Sequence, residues 1–117
     1  MGAMGLPGDW SPASRYVRTA FCKRNSVCEN SEESSVSQFF HLLDTVAMPR
    51  GAVRTPEGNC DITRYSCCIN TATGTYYYKT YDNCAITAVA LTAERRAGDK
   101  LLEFPLDTKL RITFQEG

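Results

Sequence analysis

The apolar residues of the chain change their spacing once, near Pro49, and this change limits the folds that the chain can adopt. Before Pro49 they recur every three or four positions, which is typical of amphipathic helices. After Ala52 the chain has short runs of β-branched and aromatic residues between turn residues, which is typical of strands. Two helices followed by an antiparallel β-meander predict an α+β fold.

The first predicted helix begins after Ser11, whose hydroxyl can cap it, with Pro12 at the first helical position. Before the cap, residues 6–9 (LPGD) have the composition of a type II turn. Arg15 and Arg18 lie three positions apart on one face of this helix. The helix should carry its apolar residues on another face, formed by Ala13, Tyr16, Val17, Ala20 and Phe21.

The second predicted helix begins after Ser31, with Glu32 and Glu33 in the first turn, where the helix dipole favours acidic residues. Pro49 should end this helix, because the residue before a proline is disfavoured in helical geometry. His41 lies off the centre of the apolar stripe and is predicted to be a surface histidine. The stripe itself comprises Val36, Phe39, Phe40, Leu43, Val46 and Ala47.

The strand signals are strongest between residues 61 and 91. Residues 61–69 and 75–81 should form a hairpin around the turn at 70–74, and 85–91 a third strand. The tyrosines at 76, 77 and 78 must alternate between the two faces of a sheet, so one or two of them could line a pocket. Further predictions are a short strand at 52–54, a turn at 56–59, a loop at 97–100 and shorter terminal strands at 101–106 and 110–114.

Composition limits the classes of function. The 117 residues are predicted to form one domain, residues 1–117, and 13 basic and 13 acidic residues give a net charge of +0. No block of like charge indicates a nucleic acid or an anionic membrane as a partner. No apolar run approaches the roughly 20 residues of a membrane span, and a signal peptide pattern is lacking, so the expected location is cytoplasmic.

Six cysteines are many for a chain of this length, at positions 22, 28, 60, 67, 68 and 84. They could be a disulfide framework, but without a signal peptide reduced thiols are favoured. His41 is the sole histidine and no C-x-x-C pair occurs, so neither a zinc site nor any cofactor is predicted. A Cys–His catalytic pair has no support from the spacing. Glu32 and Glu33 are better explained as a solvated helix start.

Arg15 and Arg18 are the candidate functional residues, with three interpretations. They could be solvated, as most helical arginines are, or paired with Asp9 or Glu32. They could instead orient a carboxylate or stabilise charge beside a reactive centre. Composition alone favours the solvated surface.

Six motifs follow one another in the chain: GLPGD at 5–9, SRYVRTAF at 14–21, SQFFHLL at 37–43, PRG at 49–51, TRYS at 63–66 and YYYKTYDN at 76–83. In this order they resemble the choloylglycine hydrolase family, which comprises bile salt hydrolases and penicillin V acylases. The bile salt hydrolase branch fits better, chiefly through Phe39-Phe40-His41 and the tyrosine hairpin. The resemblance fades after about residue 106.

The resemblance implies the C-terminal part of the αββα sandwich of the N-terminal-nucleophile (Ntn) hydrolases. Such enzymes cleave a linear amide, for example between a bile acid and glycine or taurine. An N-terminal cysteine attacks, and its own α-amine serves as the base. The resemblance carries one catalytic residue onto this chain, Arg15, with Arg18 as the alternative. Its implied role is to position and electrostatically support the reacting thiol.

The chain also departs from the family pattern. Met1 is followed by Gly2, and Cys22, the nearest cysteine, lies inside a predicted helix. The other catalytic positions of the family have no counterpart. We therefore expect the C-terminal third of an enzyme for conjugated bile salts that is inactive alone. It would need the N-terminal portion or form a homo-oligomer. The alternatives are a penicillin V acylase-like segment and a non-catalytic oligomerising remnant.

Overall fold

The computed structural model of the chain describes residues 2–116 and confirms the α+β fold. Two compact units, Met1–Thr63 and Arg64–Gly117, divide the chain. That residues 1–117 act as one domain stays a prediction. The first unit contains α1 (Pro12–Arg24), α2 (Glu32–Asp44), β1 (Val53–Arg54) and β2 (Cys60–Asp61). The second contains β3 (Tyr65–Asn70), β4 (Thr75–Thr80), β5 (Thr87–Ala90) and α3 (Ala93–Ala97).

α1 begins where the sequence predicts it, after Ser11, and ends at Arg24. Ser11 is the N-cap, and its hydroxyl accepts a hydrogen bond from the backbone N–H of Ser14 at 3.3 Å. Asn25 is the C-cap, and its side-chain amide donates to the carbonyl of Phe21 at 2.9 Å. Local capping chemistry was therefore sufficient to place this helix.

The predicted turn at residues 6–9 is wrong. A type II turn there would need a positive φ at Gly8, but Gly8 does not adopt one. The turn lies earlier, where Gly5 has φ +86° and the N–H of Leu6 donates to the carbonyl of Ala3 at 3.1 Å. The segment that follows instead directs two of its carbonyls at the side chain of Arg18.

The face of α1 that the first unit covers is the polar one. Arg18 is buried, and Ser14, Arg15 and Cys22 are half-buried along the same side of the helix. An amphipathic helix normally buries its apolar side, so this orientation is reversed. Within residues 2–116 the apolar face of α1 is exposed at every position: Ala13, Tyr16, Val17, Ala20 and Phe21.

α2 follows the prediction at its start and departs from it at its end. Ser31 caps it by accepting from the N–H of Ser34 at 3.1 Å. The helix ends at Asp44, well before Pro49, because the hydroxyl of Thr45 donates to the carbonyl of Leu42 and helps to close the last turn. Its buried side chains are Val36 and Phe40, two members of the predicted stripe, and His41 is exposed as expected.

The β-meander confirms the predicted hairpin and third strand. β4 lies between β3 and β5, and both pairings are antiparallel. Gly74 closes the hairpin with φ +69° and donates its N–H to the carbonyl of Asn70 at 2.8 Å. The predicted strand at 61–69 is divided into β2 and β3, which belong to separate sheets.

The predicted terminal strands at 101–106 and 110–114 are wrong, and α3 was not predicted. Residues 98–116 contain no regular secondary structure, because they have no hydrogen-bonded strand neighbour within the described chain. They are fixed at Asp107 instead. Its N–H donates to the hydroxyl of Tyr78 at 2.9 Å, and its carbonyl accepts from the side-chain amide of Asn83 at 3.1 Å.

Candidate functional site

The beginning of α1 and the segment before it form the candidate site, and Arg18 lies at its centre. The side chain of Arg18 is 9% exposed. Its Nη1 donates to the carbonyls of Pro7 at 3.0 Å and Asp9 at 2.6 Å. Its Nε donates to the carbonyl of Thr45 at 3.2 Å, and its guanidinium carbon lies 5.3 Å from the ring centroid of Trp10. The cation is thus enclosed by carbonyl oxygens and an aromatic ring.

The charge of Arg18 suits this environment. Thr45 is the C-cap of α2, and the carbonyls at the C-terminus of a helix carry partial negative charge. The interpretations of Arg18 as a solvated or ion-paired residue are therefore wrong. Among residues 2–116 its guanidinium binds backbone carbonyl oxygens and forms no ion pair with the carboxylate of Asp9 or of Glu32.

The carboxylate of Asp9 caps the start of α1. One oxygen accepts from the N–H of Ser11 at 2.8 Å, and the other accepts from the hydroxyl of Ser14 at 2.6 Å. These hydrogen bonds, led by those of Ser11 and Ser14, lower the pKa of Asp9 from 3.8 to about 2. Asp9 therefore stays ionised well into acid and fixes the segment to the helix.

Arg15 is held by a single hydrogen bond. Its Nε donates to the carbonyl of Trp10 at 3.1 Å, and its side chain is half-buried. Within residues 2–116 its terminal nitrogens Nη1 and Nη2 have no hydrogen-bond partner. A guanidinium anchored through Nε keeps its planar fork of donors available, which suits a carboxylate or a developing negative charge.

The described residues do not bring a nucleophile and a base together beside Arg15. Cys22 is a half-buried free thiol two turns along α1, and its backbone nitrogen belongs to the helix. His41 is exposed on α2. Among residues 2–116 no group of three His, Cys, Asp or Glu side chains could hold a metal ion. The arrangement can therefore orient and stabilise charge, but it does not complete a catalytic set.

A cavity of about 570 Å³ lies within the second unit, against the β-meander. Tyr76 and Tyr78 line it, which confirms that two of the three consecutive tyrosines reach a pocket. A hydrogen bond with Cys67, followed by burial, raises the pKa of Tyr76 to about 12, so its hydroxyl is neutral at physiological pH. Arg95, at the rim, donates to the carbonyl of Ala90 at 2.6 Å and is thereby already engaged.

Sequence reasoning missed three contributions. It treated Asp9 as an ion-pair candidate, although Asp two residues before Ser is a known local pattern for a side-chain-to-backbone turn. It placed Asn83 only in a turn and in a family motif, and did not predict that this side chain is 2% exposed and holds the carbonyl of Asp107. The hydrogen bond between Trp10 and Arg15 uses a backbone carbonyl, so no residue type could have predicted it.

Comparison with known proteins defines the class first. A family model of linear amide C–N hydrolases matches residues 1–104, and its description names the choloylglycine hydrolase family. The chain is 45% identical over 106 residues to a bile salt hydrolase/transferase from Lactiplantibacillus plantarum. That alignment covers 91% of the chain and 33% of the relative. The chain belongs to the choloylglycine hydrolase family, and it spans about a third of the length of the relatives that it matches.

Two solved structures support the fold assignment. A mutant of the conjugated bile acid hydrolase from Clostridium perfringens has a TM-score of 0.86 at 38% identity, covering 97% of this chain and 35% of that one. The penicillin V acylase from Agrobacterium tumefaciens has a TM-score of 0.66 at 21% identity, covering 80% and 29%. The second likeness concerns the fold alone. The chain thus has the architecture of part of an Ntn-hydrolase αββα sandwich.

None of the helices in residues 2–116 could cross a bilayer. The cytoplasmic location stays a prediction.

Proposed function

We propose that the chain forms the C-terminal third of a bile salt hydrolase-like cysteine amidohydrolase. The proposed reaction is hydrolysis of the amide that joins a bile acid to glycine or taurine. The observation that carries the proposal is the 45% identity over 106 residues to a bile salt hydrolase/transferase. The 38% identity to a conjugated bile acid hydrolase, at a TM-score of 0.86, supports the same substrate class.

In this proposal Arg15 is the catalytic residue that the chain supplies. Its Nη1 and Nη2 have no partner within residues 2–116, so they are available to a thiolate, an α-amine-bound water or a substrate carbonyl. A cation beside the reacting cysteine stabilises the thiolate and the negative charge that develops during attack. The nucleophile and the oxyanion donors would come from the N-terminal portion of the enzyme fold.

We further propose that residues 1–117 are inactive by themselves. Cys22 cannot serve as an N-terminal nucleophile, because its nitrogen is a helical amide and not a free amine. The exposed apolar face of α1 is consistent with this proposal, since a face of this kind is normally covered in a complete fold. The covering portion could belong to the same protein or to a separate chain.

A chimeric enzyme tests the proposal. Residues 1–104 of this chain replace the matching third of the Lactiplantibacillus plantarum relative, and release of glycine and taurine from conjugated cholates is measured. We expect turnover from the chimera and none from the 117-residue chain, with the unaltered relative as the control. A folded chimera without turnover, or turnover by the purified chain itself, would contradict the proposal.

Two alternatives have distinct outcomes in the same experiment. A penicillin V acylase-like segment would give a chimera that prefers penicillin V to conjugated bile salts. The likeness to the acylase structure, at 21% identity, supports the fold but not this substrate. A non-catalytic oligomerising remnant would instead give a monodisperse oligomer of the 117-residue chain in size-exclusion chromatography, with slow amide hydrogen exchange in α1.

A further inference from the structure

Arg18 and Arg15 are connected through one short segment, residues 7–10. Arg18 binds the carbonyls of Pro7 and Asp9, at 3.0 and 2.6 Å, and its guanidinium lies over the ring of Trp10 at 5.3 Å. The carbonyl of the same Trp10 accepts from Nε of Arg15 at 3.1 Å. The group that orients Arg15 is therefore part of the segment that Arg18 holds.

The other support of this segment is Asp9, which acts at a different point. Its carboxylate binds Ser11 and Ser14 at the start of α1 and makes no hydrogen bond to either arginine. Asp9 thus fixes where the segment joins the helix. The direction of the Trp10 carbonyl depends on the peptide units on both sides of Asp9, and Arg18 holds the carbonyls of Pro7 and Asp9.

We propose that Arg18 is a positioning residue for Arg15. By holding residues 7–10 against α1 and the end of α2, it places the Trp10 carbonyl where it anchors Nε of Arg15 and leaves Nη1 and Nη2 free. The catalytic importance of this arrangement rests on the function proposed above. The positioning itself does not, because it can be measured in the chain without turnover.

Arginine is needed here for its geometry as well as its charge. Its planar guanidinium directs several donors at fixed angles, and Arg18 uses two nitrogens to reach three carbonyls on two segments. Lysine supplies one ammonium on a flexible stem and cannot reproduce this pattern. Arg18→Lys therefore keeps the charge and removes most of the positioning.

The first experiment follows the side-chain Nε–H of Arg15 by NMR in the ¹⁵N-labelled 117-residue chain. We expect Arg18→Lys to accelerate its exchange with water about tenfold, the order of factor expected when one hydrogen bond is lost. Arg24→Lys, an exposed change in the last turn of α1, should leave the exchange unchanged. Unchanged Arg15 exchange in folded Arg18→Lys would overturn the proposal.

Trp10→Leu provides a second variant in case Arg18→Lys fails to fold. It keeps the backbone carbonyl of residue 10 and the three hydrogen bonds of Arg18, but it removes the ring beneath the guanidinium. We expect a smaller acceleration of Arg15 exchange, about two- to threefold. Because the three hydrogen bonds of Arg18 remain in this variant, an acceleration as large as the roughly tenfold one expected for loss of the Arg15 hydrogen bond would overturn the proposal, since the ring and not Arg18 would then hold the segment.

The second experiment uses the chimeric enzyme and separates this proposal from the proposed function. We expect Arg18→Lys to lower kcat at least about tenfold with KM within about twofold, because misplacement of a catalytic group acts on the transition state. If Arg15→Lys and Arg18→Lys both leave turnover intact while the NMR effect is present, the catalytic role of Arg15 fails and the positioning stands. If Arg15→Lys abolishes turnover and Arg18→Lys changes neither kcat nor Arg15 exchange, the positioning fails alone.

Discussion

Two irregular segments of the molecule are each held by side chains that form hydrogen bonds with backbone groups, but the kind of side chain differs between them. Residues 7–10 of the first unit are held by the charged guanidinium of Arg18, which donates to backbone carbonyls. The segment around Asp107 in the second unit is held by the neutral side chains of Tyr78 and Asn83, which also bind backbone groups. The charged donor contacts more of the surrounding chain, so we expect it to contribute more to stability.

The two segments differ in whether a polar side chain nearby keeps donors that are not used to hold the segment. In the second unit the polar groups of Tyr78 and Asn83 both bind Asp107. In the first unit Arg18 holds residues 7–10, and the neighbouring Arg15 makes a single hydrogen bond, through Nε. Under the positioning that we propose, Arg18 holds the segment and the terminal nitrogens of Arg15 remain available to a ligand.

The largest expected effect belongs to Arg18→Met in the 117-residue chain. It removes the buried cation and leaves the carbonyls of Pro7, Asp9 and Thr45 without this donor, so we expect a loss of roughly 3 kcal/mol in the free energy of unfolding. Urea denaturation followed by circular dichroism measures it, with Arg24→Met as the control. If Arg18→Met lowers the free energy of unfolding by less than Asn83→Ala does, the charged side chain does not contribute more to stability than the uncharged one.

Asn83→Ala should have the second largest effect, roughly 2 kcal/mol. The side chain is 2% exposed, donates to the carbonyl of Asp107 and accepts from the N–H of Ala85 at 3.0 Å. The same denaturation measurement applies, and exposed Asn30→Ala is the matched control. Proteolysis should also become faster within residues 98–116, and resistance there would show that Asn83 does not hold the segment.

Tyr78→Phe should cost about 1 kcal/mol, because it removes one hydrogen bond and keeps the buried ring. The lost contact is the one from the N–H of Asp107 at 2.9 Å. Tyr16→Phe, at a position that is 76% exposed, is the control for loss of a hydroxyl. If the two variants unfold at the same urea concentration, the hydroxyl of Tyr78 is not part of the holding contact.

The smallest effect is a pH dependence that Asp9 introduces. Its folded pKa of about 2 lies below the ordinary 3.8, so ionised Asp9 stabilises the fold above pH 3.8 and this contribution is lost as pH falls towards 2. Thermal melting between pH 4.5 and 2 should therefore depend less steeply on pH in Asp9→Asn. Asp99→Asn controls for loss of a carboxylate, and an identical slope in the Asp9 variant would contradict the assignment.

Asp107 should give the second unit a similar dependence of stability on pH. A hydrogen bond from Arg111 lowers the pKa of Asp107, again placing its loss of stabilisation on the acid side. The Asp9→Asn variant should therefore retain part of the acid sensitivity of the parent chain. The two segments thus differ in their main holding group and resemble each other in this secondary one.

The two units also differ in how far sequence could predict them. The hairpin around Gly74 was predictable, because turn chemistry and β-branched and aromatic content are local properties. The tail at 101–116 also contains strand-forming residues, but a strand needs a neighbour with unpaired backbone groups, and local composition does not record whether one is available. Its fixation at Asp107 depends on residues 24 and 29 positions away.

The candidate site could also be predicted only in part from the sequence. The helix, its Ser11 cap and the arginine pair could all be located from the sequence. The assignment of Arg15 as a catalytic residue came from the family resemblance. Nothing in the helical periodicity indicated that Arg18 would be buried. Periodicity identifies the two faces of a helix, but which face is covered depends on everything else that packs against it.

The reversed orientation of α1 offers a practical handle for engineering. Polar substitutions at Tyr16, Val17 and Phe21 touch neither the cap nor the arginine network, so they could improve handling of the short chain while sparing its internal architecture. Under the proposed function the same three side chains would be covered by the remainder of the enzyme fold. Polar residues there would then raise the solubility of the 117-residue chain and weaken the association of that fold.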